Sequence, residues 1–365
     1  MPPRLVPARR EIARGKAAAP APRRLRTPLI TFLFVALLPV SIGLSTAFGA
    51  ESLPPVQVAD VLLSRLTGAA PPDFVHDTIV WNLRLPRALL ALVVGAGLAL
   101  AGAAMQTLVR NPLADPYLLG VSSGAGVGAT AVITTGLFAG AGMWALSAGA
   151  LAGALCSSLL VFTIAIAQGG LTPLRLVLIG TVLGSAFSSI ASFLVFRSAD
   201  PAAAQSVLFW LLGSLAGAEW AQLALPASVV LLAGIALVAG SGWLDALATG
   251  PDTAAALGVP VRGLRIALFA TLTVLVGVLV AVSGGIGFVG LVVPHVARLI
   301  VGARHRVLLP VAALAGSVFL LWVDVATRVL VRPTEIPLSV VSGLIGAPVF
   351  LILLGRRRYS HGGAS

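Results

Sequence analysis

Residues 88–109 carry no ionisable side chain over 22 positions, with Arg84 and Arg87 at one mouth of the run and Arg110 at the other. At about 1.5 Å per residue, a helix of that length crosses a hydrocarbon core of roughly 30 Å. Asn111-Pro112 and Asp115-Pro116 follow at once. Proline lacks the N–H and pushes its predecessor out of the α region, so the helix must break there. A second apolar run then opens with Gly120, Gly124 and Gly128, four residues apart. That spacing clears one helix face of side chains and lets another helix approach closely. The stretch therefore predicts two membrane helices joined by a short irregular turn.

The rest of the chain has the same character. It is 58% hydrophobic and only 10% charged, with mean hydropathy +1.04, where a soluble chain carries about 25% charged residues. This is the composition of an all-α polytopic membrane protein. Uncharged runs place spans near 29–49, 88–109, 117–138, 144–166, 176–196, 221–240, 266–282, 307–327 and 336–354, and a short segment at 291–301 completes ten. The apolar piece 206–218 has 13 residues, too few to cross, and is expected to be re-entrant or interfacial. Residues 51–82, with Asp60, Asp73, His76 and Asp77, are expected outside with a short helix, and the glycines of 283–290 interrupt a helix. A signal peptide is the rival reading of 29–49, but its apolar core exceeds the usual 7–15 residues, so it reads as a retained first span.

Charge orients the bundle. With the N-terminus inside, 18 of the 24 positive residues fall on the inner side, and Arg65, Arg84, Arg87, Arg197, Arg328 and Arg332 remain outside. The organisation expected is a basic cytoplasmic tail over 1–28 that touches anionic lipid, a transmembrane domain over 29–355 and a cytoplasmic tail over 356–365. Within the transmembrane domain, residues 244–263 make a cytoplasmic excursion. A shift of 182 residues superposes Gly95 on Gly277, Gly102 on Gly284, Pro112 on Pro294 and Gly120 on Gly302, which raises an inverted repeat of two five-helix halves.

Several functions are excluded. The net charge of +12 resides in loops between spans rather than on one basic face, so no nucleic-acid partner is expected. Lys16 is the single lysine and alanine follows it, so the phosphate-cradling G-x-x-x-x-G-K-[ST] loop is absent and the chain is not expected to be an enzyme hydrolysing ATP by that route. Cys156 stands alone and the four histidines are scattered, so no disulfide or metal cluster is expected. Gly285-Ile-Gly287-Phe-Val-Gly290 fits the dinucleotide fingerprint, yet no acidic residue lies between Asp252 and Asp324 to hold a ribose. Gly120-Val-Ser122-Ser-Gly124 fits a nucleophile elbow but lies in a membrane helix without the strand that motif needs. An ion-coupled secondary transporter, the alternative of another class, needs intramembrane acids or histidines, and the first five main spans hold none. Asp324 falls near an outer helix end beside Arg328.

In order, Arg84-Leu-Pro-Arg87, Gly95 and Gly102, Gln106, Arg110-Asn-Pro-Leu-Ala-Asp-Pro116 and Leu118-Leu-Gly-Val-Ser-Ser-Gly124 resemble the permease subunit of the ABC importers for iron–siderophores, haem and cobalamin. Residues 284–298, with Pro294-His295 and Arg298, resemble the second diagnostic block of that family. The resemblance implies a type II ABC importer permease of the bacterial inner membrane, with both termini cytoplasmic and two-fold pseudo-symmetry. It implies a second permease subunit (a copy or a different chain), two cytoplasmic ATPase subunits that bind the ATP, and an extracytoplasmic binding protein. No cofactor is expected on this chain. The cargo it implies is a ferric–siderophore-type chelate, with haem or a corrinoid such as cobalamin as alternatives.

The same resemblance assigns site residues. Arg84, Arg87 and Arg328 are matched to docking of carboxylates on the binding protein, for which arginine's bidentate fork is suited. Reversing the charge of Arg84 and Arg87 is expected to abolish uptake and leave the chain folded. Gly250-Pro-Asp-Thr-Ala-Ala-Ala-Leu-Gly258 is matched to the coupling helix that meets the ATPase, through Asp252, Ala254, Leu257 and Gly258. Proline in the first turn, an acid near the N-terminus and a closing glycine suit a short helix, although Pro251 stands where the family usually has an acidic residue. Gln106, Asn111, Pro112, Ser122, Ser123, Gly284, Gly285, Gly287 and Gly290 mark the helix breaks and the pathway. Leu171, Thr172, Pro173 and Leu174 fall where the family closes its pathway on the inner side.

Overall fold

Lipid offers the backbone no hydrogen-bond partner, so a chain this apolar must satisfy its amides within helices. The computed structural model describes residues 26–49, 51–71 and 73–358, and among them there is no strand. The basic tail up to residue 25 and the segment beyond 358 lie outside the described residues. The chain begins with α1 (Arg26–Ala47) and α2 (Pro55–Thr67). Next, α3 (Phe74–Asp77) runs through a π-helical turn (Thr78–Arg84) into α4 (Leu85–Val109). A 3-10 turn (Pro116–Leu119) leads to α5 (Val121–Thr135), α6 (Ala145–Ala167), α7 (Pro173–Phe196) and α8 (Ala202–Leu211). Then come α9 (Ala224–Ala239), α10 (Ser241–Thr249), α11 (Pro251–Ala256) and α12 (Val261–Ser283). The last three are α13 (Val289–Val301), α14 (His305–Val329) and α15 (Leu338–Arg358).

Seven stretches among the described residues are long and apolar enough to cross a membrane, those containing α1, α4, α6, α7, α9, α12 and α14. The other three expected spans correspond to α5, α13 and α15, which are not among these seven. Only 15 residues of α5 and 13 of α13 are helical, because each follows a helix break that takes up part of the crossing. The ten residues of α8 fall short of a span, as the sequence predicts.

The centre of the bundle is α4, where no residue from Leu85 to Val109 is exposed. It packs against α14, α13, α12 and α9. Van der Waals contact, not hydrophobic force, drives association between helices in lipid, and small residues maximise it. Accordingly a Cβ on Gly95 would strike the carbonyl oxygen of Gly316 on α14, and one on Gly102 that of Gly290 on α13. The stripe after the turn works in the same way, as Gly124 and Gly128 on α5 meet Gly153 and Gly149 on α6.

The shift of 182 residues is not the structural register. It pairs Pro112, in the turn after α4, with Pro294, inside α13, because the two breaks differ in length (110–120 against 284–288). The contacts nonetheless repeat between two five-helix sets. α4 packs on α14 as α12 packs on α6, and α5 meets α12 as α13 meets α4. In both sets the helix after the break starts from a left-handed residue, Gly120 or Phe288.

Candidate functional site: two helix breaks and two polar ends

Irregular backbone inside a membrane bundle needs side-chain partners for its amides. The first break opens at Arg110, left-handed at φ 54. Asn111 Oδ1 accepts the Leu113 N–H at 2.9 Å and Asp115 Oδ1 accepts the Tyr117 N–H at 2.8 Å. The second runs from Gly284 to Phe288, both at positive φ. Tyr117 ties the two together: its hydroxyl accepts the Ile286 N–H at 2.9 Å and donates to the Ile286 carbonyl at 3.0 Å. From α15, Ser339 accepts the Gly287 N–H at 3.2 Å and donates to the Gly285 carbonyl at 2.7 Å, and Ser342 donates to the Gly287 carbonyl at 3.0 Å. Sequence reasoning missed Tyr117, Ser339 and Ser342; the available signal was a pair of serines three apart just after Pro337.

Beside the first break lies a cavity of about 730 Å³, lined by Asp115, Tyr117, Ser122, Ser123 and, from α7, Thr181, Ser185 and Ser188. The α7 residues were also missed. Asp115 is its one charged liner, half-exposed on the wall. Ser122 and Ser123 thus reach the cavity, but Gln106 does not. Gln106 is buried and clips α4 to α13, donating to the Leu291 carbonyl at 3.2 Å and accepting from Arg298 at 3.1 Å. Asn111 is exposed and Pro112 half-buried, while Gly290 gives Pro116 room to pack against α13.

The outer arginines sit otherwise than expected. The last carbonyls of α1 have no partner within their helix, and guanidinium groups supply one. Arg84 donates to the carbonyls of Thr46 at 2.9 Å, Ala47 at 3.1 Å and Glu51 at 2.6 Å. Arg328 donates to the Phe48 carbonyl at 2.7 Å and pairs with Asp324 at 3.1 Å, so the neighbour read for Asp324 is its partner. Arg87 bridges Asp324 at 2.8 Å and both oxygens of Glu335 at 2.8 and 3.0 Å. Arg87 and Arg328 are buried and Asp324 is wholly so. These arginines are engaged inside the chain and do not offer free guanidinium groups to a partner. The expectation of a folded double charge reversal is corrected too, since a carboxylate at position 87 would face Asp324 and Glu335.

At the other end, Asp252, Leu257 and Gly258 of the expected coupling segment are exposed. Ala254 is fully buried and anchors α11 against the bundle, so it cannot meet a partner there. Gly258, at φ 80, closes the helix as the sequence implies, its N–H donating to the Ala255 carbonyl at 2.9 Å. Of the expected inner gate, Leu171 is buried, Thr172 is extended, Pro173 opens α7 and Leu174 is exposed. Leu171 and Thr172 border a cavity of about 510 Å³ shared with Arg262 and Arg265 at the start of α12.

Residues 37–356 match the FecCD transport family. The vitamin B12 import system permease protein BtuC of Salmonella typhimurium is 42% identical over 78% of this chain and 87% of its own length. The molybdate import system permease protein MolB of Haemophilus influenzae is 37% identical over 90% of this chain and 95% of its own. Among solved structures, an inward-facing conformation of a metal-chelate type ABC transporter superposes with a TM-score of 0.79 at 35% identity, covering 90% of this chain and 99% of that one.

Proposed function

The chain belongs to the FecCD transport family and is an ABC importer permease, and from that premise we propose that it is one of two permease subunits enclosing a central pathway for a bulky metal chelate. An extracytoplasmic binding protein hands the chelate over, and two separate cytoplasmic ATPase subunits drive the cycle. The observation that carries the cargo class is the cavity wall, made of hydroxyls, glycines, Leu118 and Leu211, with Asp115 as its single charged liner and no cation. Such a wall lets a large, weakly charged chelate slide without holding it. A small oxyanion such as molybdate would meet no positive partner there. Ferric–siderophores and corrinoids both fit this wall, and 42% identity with a vitamin B12 permease favours the corrinoid.

Asp252, Leu257 and Gly258 form the surface for the ATPase. At the outer end, docking that uses Arg87 requires the Glu335 carboxylate to yield its two hydrogen bonds to a carboxylate of the binding protein. The test is uptake into proteoliposomes holding the permease with its cognate ATPase and binding protein. ATP-dependent accumulation of radiolabelled cobalamin is the expected result. Accumulation of a ferric–siderophore instead moves the cargo to that class, and accumulation of molybdate alone overturns the chelate reading.

A further inference from the structure

Three polar side chains from three different helices meet at the inner end of the bundle. Asp245 lies on α10, His305 is the first residue of α14, and Thr107 is two residues before the end of α4. Asp245 Oδ1 accepts both the backbone N–H of His305 at 2.9 Å and its ring Nδ1–H at 2.6 Å. A carboxylate only accepts, so Nδ1 carries a proton; Nε2 lies 2.7 Å from the Thr107 hydroxyl, which also donates to the Ala103 carbonyl at 3.0 Å. Asp245 thereby caps the N-terminus of α14 from another helix, a position where no residue of the α14 N-terminus itself provides a cap. The order hydroxyl, imidazole, carboxylate is that of a hydrolase relay. Thr107 is only 4% exposed and His305 2%, so no substrate reaches the hydroxyl.

The relay is placed to carry movement instead. α10 leads through Gly250 straight into α11, the segment with exposed Leu257. Arg110, the left-handed residue that ends α4, lies beside the α10–α11 junction, its guanidinium 3.7 Å from where a Cβ on Gly250 would stand. On α4 itself, the helix break that opens at Arg110 begins one turn beyond Thr107. His305 and Thr107 are buried, while the Asp245 side chain is 40% exposed at the end facing α11. Contacts of 2.6 and 2.7 Å join the three helices, so α10, α14 and α4 move there together or break the chain of bonds.

We propose that Asp245, His305 and Thr107 form the linkage through which displacement of α10–α11 by the ATPase subunits reaches α4 and the helix break at 110–116. All three are positioning residues for transport, and the proposal rests on the coupling role given above to α11. The test uses the complete reconstituted transporter and reads uptake per ATP hydrolysed, a ratio that simple loss of folded protein does not move. Thr107→Val keeps the shape and removes the hydroxyl; His305→Ala removes the ring; Asp245→Asn retains an oxygen that still accepts both N–H groups. Thr107→Val and His305→Ala are expected to assemble with the ATPase and hydrolyse ATP while uptake per ATP falls about tenfold, within the usual range of coupling between sites. Asp245→Asn is expected to stay near the parent ratio. Where His305→Ala fails to assemble, Thr107→Val decides, and an unchanged ratio for it overturns the linkage. Leu257→Asp separates the two readings. If it uncouples while the relay variants do not, only the linkage fails; if it transports normally, the coupling role of α11 fails and the linkage with it.

Discussion

Arg87 shows how one side chain serves two ends of a chain. Its guanidinium joins Asp324, wholly buried, to Glu335, whose side chain is 34% exposed. Truncating one partner of a buried pair strands the other charge and costs about 3–5 kcal/mol, whereas a partly exposed pair is worth about 1 kcal/mol or less. Arg87→Ala is therefore expected to lower the thermal unfolding midpoint in detergent far more than Glu335→Gln, and equal losses would contradict the burial order. The arginines at the mouth of the first run were legible in the sequence as charges flanking a span. Their inward turn was not, because the carboxylates that draw Arg87 in lie 237 and 248 residues away along the chain. Local pattern carries no information about such partners.

Among the elements, the helix breaks were the most legible. Asn111-Pro112 and Asp115-Pro116 leave the backbone no helical choice, and Gly284 and Gly285 follow a run that ends at Ser283. The hydroxyl face of α7 was not legible, since Ser and Thr in a membrane helix bond back to the preceding turn. Thr181 does so to the Val177 carbonyl at 2.8 Å and Ser185 to that of Thr181 at 3.1 Å. Which serines face a cavity is decided by packing alone. Packing also separates glycines that look alike in sequence. Gly102→Ala drives a Cβ into the Gly290 carbonyl, and overpacking of this kind costs about 1–3 kcal/mol. Gly43→Ala in α1 meets open space and is expected to be neutral or to stabilise by less than about 1 kcal/mol through helix propensity. Thermal midpoints of the two variants check this, and equal tolerance of both would mean that α4 and α13 are not held in close backbone contact.

At the scale of the molecule, two polar ends bracket a core almost free of charge. Arg84, Arg87, Arg328, Asp324 and Glu335 lock one end, while Asp245, His305, Arg298 and Gln106 join helices at the other. Composition made the membrane class legible and the order of motifs made the family so. The cargo was not legible, because the cavity wall of hydroxyls and glycines sets a class of chemistry and no single molecule. Intramembrane acids are what an ion-driven carrier works with; here Asp324 is paired with two arginines, and Asp115 is engaged in the first helix break by the Tyr117 N–H. This permease is therefore expected to move cargo only with power supplied from other subunits. The direct measurement is uptake from the loaded binding protein into proteoliposomes containing the permease alone, or the permease with its ATPase and ATP. The expected result is accumulation only with ATPase and hydrolysable ATP. Accumulation by the permease alone under an imposed proton or sodium gradient would contradict it.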